Sequence, residues 1–420
     1  MIAINGFLGI YLGLYVLSAA ADLVAEIINL RHLRNHGQKI PEIFQSEINQ
    51  TKLRKINTYT IEKSRLNIIK GSMEHILFLI IILSGLLPWL EKSLWGFSFL
   101  FAGLLFFALP GLAAGLVSIP FDYYRIFVIE ENFGFNTRTL KIWLLDMLKA
   151  SLVGLVLGGM ILSGILIMVK YGGRIWWVWA WLIFSAFQVL VSILYPSVIA
   201  PIFNAFTPIE DRILADKIQQ LAAKEGLTLR GIYQMDATRR SHHTNAYLSG
   251  LGKAKRIVLF DTLIESHEDD EILAVLSHEI GHLKRHHITK QLIMIGITSF
   301  ILLFLASNLM SWELMYRSFG FETTSLYAGL FLVAMLWQPV GFFFGPLTMA
   351  LSRRHEREAD LYSSKIQGTS VPLIKALKKM ALDNLSNLRP HPLYVLLNYS
   401  HPPLVQRIGR LQREDLTGLK

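Results

Sequence analysis

The stretch from Leu94 to Ile119, LWGFSFLFAGLLFFALPGLAAGLVSI, runs 26 residues without a charged side chain. About 20 apolar residues in a helix cross the hydrocarbon of a bilayer, so this segment spans a membrane. Six more stretches read the same way: Gly6 to Leu30, His75 to Leu90, Leu148 to Val169, Ile175 to Ile199, Leu292 to Trp312 and Leu326 to Leu351. The second of these is short and borrows residues from Ile68 onwards. Composition agrees: hydrophobic residues make up 52% of 420 positions, charged ones 17%, and mean hydropathy is +0.41. The expected fold is an all-α polytopic membrane protein with about seven transmembrane helices. No signal-peptide pattern precedes the first span, which is expected to stay in the membrane.

Charge placement supplies an orientation. Between the first two spans lie Arg31, Arg34, Lys39, Lys52, Arg54, Lys55, Lys63, Arg65 and Lys70, with few acids, so this basic loop, 31–70, is cytoplasmic by the positive-inside rule. Alternating crossings then put 120–147, 201–291 and the tail from Ser352 on the cytoplasmic side. The basic rim accounts for the net charge of +10 and the pI near 9.6. No basic patch interleaved with aromatics appears, which argues against nucleic acid as a partner. Zero cysteines exclude disulfides, thiolate metal sites and cysteine nucleophiles. The plan that follows is a membrane bundle over 1–205, a polar cytoplasmic region over 206–291, two further spans over 292–351 and a tail over 352–420.

Within the polar region stands His278-Glu279-Ile280-Gly281-His282. Positions i and i+4 share a helical face, so both imidazoles can address one metal ion. Glu279, between them, can take a proton from a metal-activated water that attacks a carbonyl. On its own the motif is also compatible with an amphipathic helix whose histidines line a polar face. The helix is read over Asp269 to Lys284 and is free to continue into the sixth span. An upstream helix from Asp211 to Glu225 and short strands at Ile232 to Met235, Ala246 to Leu248 and Ile257 to Phe260 give this region a small sheet, with a turn at Ser249 to Gly252.

A third ligand must come from the same side of the membrane. The tail begins Ser352-Arg353-Arg354-His355-Glu356-Arg357-Glu358-Ala359-Asp360, a helix read from Arg353 to Ile366. Glu356 and Asp360 share a face there, whereas Glu358 points about 200° away from Glu356. Glu356 as ligand, with Asp360 bracing a histidine N–H, is the preferred arrangement, and His355 is the rival ligand. His286 is rotated by roughly 80° from His278 and is expected to face solvent or phosphates.

These blocks together resemble the type I CAAX prenyl endopeptidases, integral-membrane zinc metalloproteases. Further segments match in order: Glu130 to Asn136, Tyr195-Pro196 with Ile199 to Asn204, Thr244 to Tyr247, Arg256 to Leu263, and Ser400 to Leu404. The resemblance implies one zinc per chain held by His278, His282 and Glu356, with Glu279 as base and Asp360 supporting a histidine. It implies that Asn245, Ala246 and Tyr247 form an edge strand that pairs with the substrate backbone. It also implies that His401 and Arg407 reach into the site, His401 donating to the oxyanion. The implied substrate is a peptide or protein, prenylated in the family, and the helices of the family surround a chamber. The implied location is an endoplasmic reticulum or bacterial inner membrane, and the compact length suits a prokaryotic member. Two other functions share some features. An HtpX-like quality-control protease carries the same zinc motifs, but the long bundle before His278 argues against it. A transporter or scaffold with a structural zinc has no need of Glu279.

Overall fold

The computed structural model describes residues 2–249 and 255–417. Among the described residues, seven helices are long and apolar enough to cross a membrane: Gly6–His36, Gln50–Leu83, Phe99–Phe133, Leu140–Tyr171, Gly173–Phe203, His287–Leu309 and Leu326–Gln367. The number is the one read from sequence, but the helices are longer than their apolar cores. Gln50–Leu83 starts in the basic loop, where Asn49 caps it by accepting from the Lys52 N–H. Its end corrects the expected second span. Gly85, at φ 79°, breaks the helix, and Leu86–Ser93 forms a separate short one. Only 0% to 28% of each apolar window is buried within the protein, which leaves most of the apolar surface of the spans for lipid to cover.

The last span matters most for function. It runs 42 residues, past Pro339 and Pro346, and stops at Gly368 in the left-handed conformation. The sequence reading began a separate helix at Arg353. In the structure the membrane helix itself carries Glu356 and Asp360 out of the apolar layer. Prolines are tolerated where helices lie in lipid or pack on neighbours, and here they do not end the segment.

The polar region holds a four-stranded sheet in the order β1-β2-β4-β3, with β1 at Phe206–Pro208, β2 at Leu229–Met235, β3 at Ala246–Ser249 and β4 at Lys255–Phe260. β2 and β4 are parallel; β1 and β3 pair antiparallel at the two ends. The sequence reading missed β1, three residues ending in proline that show no alternation. The expected turn from Ser249 lies, from Gly250 on, outside the described residues. One sheet face packs Ile257 and Leu259 against Leu214 and Ile218 of the Arg212–Lys224 helix and against Ile272 and Leu276 of Asp269–Lys284.

Asp269–Lys284 begins with a capping box, Glu268 and Glu271 each bonding the other's backbone N–H. It does not continue into the sixth span. Arg285 caps it and His286, at φ 56°, turns the chain before His287–Leu309 begins. The helix crosses Leu326–Gln367 at Gly281, where a Cβ would lie 3.0 Å from both Ala359 Cα and Tyr362 Cβ. Glycine lets the two backbones touch, and that close crossing brings His278 and His282 up to Glu356.

Candidate metal centre

His278 and His282 project from the Asp269–Lys284 helix toward the last span. His278 Nε2 lies 3.1 Å from His282 Nε2 and 3.5 Å from Glu356 Oε2, and His282 Nε2 lies 3.2 Å from Glu356 Oε1. The three groups each turn one donor atom to a common point. The surroundings are dry: His278 is 7% and Glu356 3% exposed. Glu356 is buried with its two oxygens close to three imidazole nitrogens, two of them from His278 and His282, a donor set that a cation would satisfy. Two imidazole nitrogens and a carboxylate oxygen in such a cluster fit a divalent metal.

Asp360, one turn beyond Glu356, sits with Oδ1 2.8 Å from His278 Nδ1, so the ring's far nitrogen is free for the metal. Arg407 holds that carboxylate from behind: its Nε donates to Oδ2 at 2.9 Å and its Nη2 to Oδ1 at 2.6 Å. Burial alone would lower the His278 pKa, but Asp360 and Glu356 outweigh it and lift it to about 9 when no metal is bound. Burial would likewise lower Arg407, and the Asp360 carboxylate overcomes it and raises the value. Glu279 feels the charges of His278, His282, Glu356 and His401, and burial pushes its pKa above the usual carboxylate range. A carboxylate so raised holds a proton more readily, which suits a general base.

His401 reaches the cluster from the Ser400-His401-Pro402-Pro403 turn. Its Nδ1 is 2.8 Å from Glu356 Oε2, and its side chain is 62% exposed toward a cavity of about 620 Å³. The sequence reading had Arg407 reaching into the site. The structure gives it a reach of 3.5 Å to Glu356 and makes Asp360 its main partner, so it positions ligands. The rival ligand His355 turns away and stacks on His287 at 4.0 Å between centroids. Glu358 also turns away, to His287 at 3.2 Å and Arg354 at 3.0 Å. His286 is exposed, as expected.

β3 forms one edge of the sheet. Phe260 N–H donates to the Asn245 carbonyl, so in an antiparallel ladder Asn245 and Tyr247 face β4 while Ala246 and Leu248 turn their N–H and C=O outward. The Ala246 N–H meets the Asn245 side-chain oxygen at 2.9 Å. Sequence reasoning missed what anchors this edge. Asn384 accepts from the Thr244 N–H at 3.1 Å, and its oxygen lies 2.9 Å from His243 Nδ1. His243 Nε2 is 3.3 Å from Glu130, which accepts from the Tyr59 hydroxyl at 2.8 Å. Glu130 stands in a block already singled out for its resemblance, but Asn384 gave no signal in sequence.

Comparisons with known proteins agree along the whole chain. Residues 29–205 match the family model for the CAAX prenyl protease N-terminal region with five membrane helices, and 208–415 match peptidase family M48. The CAAX prenyl protease 1 homolog of Arabidopsis thaliana is 33% identical, covering 90% of this chain and 91% of that protein. CAAX prenyl protease 1 of Saccharomyces cerevisiae is 33% identical over 89% of this chain and 88% of that protein. The crystal structure of S. mikatae Ste24p superposes with a TM-score of 0.91 at 30% identity, covering 97% of this chain and all of that one. With its His278, His282 and Glu356 cluster, edge strand and seven spans, this chain belongs to the CAAX prenyl protease group of the M48 metallopeptidases.

Proposed function

We propose that the protein is a zinc endopeptidase, with one zinc per chain, that cuts prenylated peptides near their C-terminus at the cytoplasmic face of a membrane. The observation that carries this reading is the meeting of His278, His282 and Glu356 at donor separations of 3.1 to 3.5 Å. Donors so spaced would suit an ion that binds at about 2.0–2.1 Å, as zinc does. Bound there, zinc lowers the pKa of a water and polarises the carbonyl it faces. Glu279 takes the water's proton and passes it to the leaving amine. His401, whose Nδ1 donates to Glu356, donates from Nε2 to the developing oxyanion in its doubly protonated form. Ala246 and Leu248 bond the substrate backbone irrespective of its side chains. Arg407 and Asp360 hold His278 in place.

A prenyl chain is as apolar as the lipid around the spans, so a membrane chamber suits a substrate that carries one. The cytoplasmic placement rests on the basic loop between the first two spans. Purified protein should contain one zinc per chain by elemental analysis. It should cleave a farnesylated peptide faster than the same peptide without the lipid. Equal rates on both peptides would remove the prenyl preference, and absence of zinc would remove the metal assignment.

A further inference from the structure

The cavity of about 620 Å³ beside His401 has a marked charge balance. Among the described residues that line it, Lys63, Arg407 and His401 are basic and none is acidic. Arg407 is neutralised by Asp360, whereas Lys63 makes no direct ion pair among the described residues. Its Nζ meets only the Tyr59 hydroxyl, at 3.3 Å, and that hydroxyl donates onward to Glu130. A second donor faces the same space: Asn387 Nδ2 is buried and makes no hydrogen bond. Glu130 acts on Lys63 at a distance, across that hydroxyl, so an unpaired buried donor beside an ammonium that makes no direct ion pair suits an anionic acceptor.

The direction of the edge strand says which part of a substrate arrives there. β3 runs from Ala246 to Ser249, and the stretch just before it is clamped at Thr244 by Asn384, which also lines the cavity. A peptide adding antiparallel to β3 runs the other way, from Ser249 toward Thr244. Its C-terminal residues therefore leave the metal cluster past His401 and enter the basic cavity.

We propose that this cavity receives the free C-terminal carboxylate of the substrate, with Lys63 as its counter-ion and Asn387 as a hydrogen-bond donor, so that Lys63 sets selectivity for chain ends. The assignment rests on the endopeptidase reading above, and the test keeps the two apart. Two farnesylated peptides identical except for a free acid or a carboxamide at the C-terminus are compared on the zinc-loaded full-length protein. The wild type should show a KM for the acid at least about tenfold lower, the scale of one charge-assisted hydrogen bond. Lys63→Met should bring the acid-to-amide ratio close to one with zinc content unchanged, and Lys63→Arg should restore the preference. If Lys63→Met does not fold, inhibition of the wild type by the released C-terminal peptide is compared with that by its amide, and the acid should bind at least about tenfold tighter. Equal handling of acid and amide by the wild type, or a preference that survives Lys63→Met, overturns the assignment and leaves the protease intact. Cleavage of neither peptide overturns the endopeptidase reading and this one with it.

Discussion

Glu279 lies between the two histidines proposed as metal ligands and is not itself proposed as one, so its replacement separates chemistry from metal binding. Glu279→Gln should keep near-stoichiometric zinc and lose activity by about 10²-fold or more, read by elemental analysis beside peptide hydrolysis. Substantial turnover in the zinc-loaded variant would refute the assignment. Glu356→Ala should strip the metal, whereas Glu358→Ala, which disturbs only His287 and Arg354, should leave zinc content near normal. The reverse pattern would put the wrong carboxylate at the metal. His401→Ala should keep zinc and lower kcat by about 10²–10³, the loss typical of one oxyanion donor; zinc loss there would make His401 a ligand. The choice of Glu356 over Glu358 was open to helical arithmetic, because one continuous helix carries both. The bond from Arg407 to Asp360 was not, since it joins residues 47 apart through a tail whose path no local pattern dictates. Asn384 stayed hidden for the same reason: its partner Thr244 is 140 residues away.

At the scale of elements, the edge strand invites a backbone substitution. Ala246 turns its N–H away from β4, so Ala246→Pro should leave the ladder to β4 standing while removing a donor the substrate needs. Binding and cleavage should fall together, with zinc retained; an unchanged KM would mean that peptides dock elsewhere. The apolar periodicities announced every long helix and three of the four strands. They misplaced the second span because its helix starts among charged residues and ends at Gly85, ahead of the apolar run's own end. They also divided the last helix at Arg353, where hydropathy changes but the backbone does not. Hydropathy marks where a helix meets lipid, and hydrogen bonding marks where it stops. Gly281 fits neither pattern: its reason is a neighbour, Ala359, in another helix.

For the whole molecule, the metal cluster demands a topology. The His pair precedes the sixth span and Glu356 follows the apolar part of the seventh, so both must lie on one side of the membrane. Cysteine labels introduced near Gln50, Glu268 and Arg410 should all react from the cytoplasm, and labels near Arg317 from the opposite side. Labels at Glu268 and Arg410 appearing on different sides would make the cluster impossible. The number of spans and this shared side were readable from apolar lengths and basic residues. The chamber implied by the family resemblance was not, because composition reports how apolar a helix is and not how far it stands from its neighbours.

The last helix, unbroken from Leu326 to Gln367, also sets an order of events during synthesis. A growing chain displays His278, Glu279 and His282 before either of the final two spans exists. It has two of the proposed ligands and the proposed base, and no complete cage. Glu356, the proposed third ligand, arrives only after the seventh span has threaded the bilayer and returned its far end to the starting side. A hydrolase of this construction acquires its cutting power last, once insertion is finished, and a chain arrested or misthreaded before that moment is harmless to its neighbours.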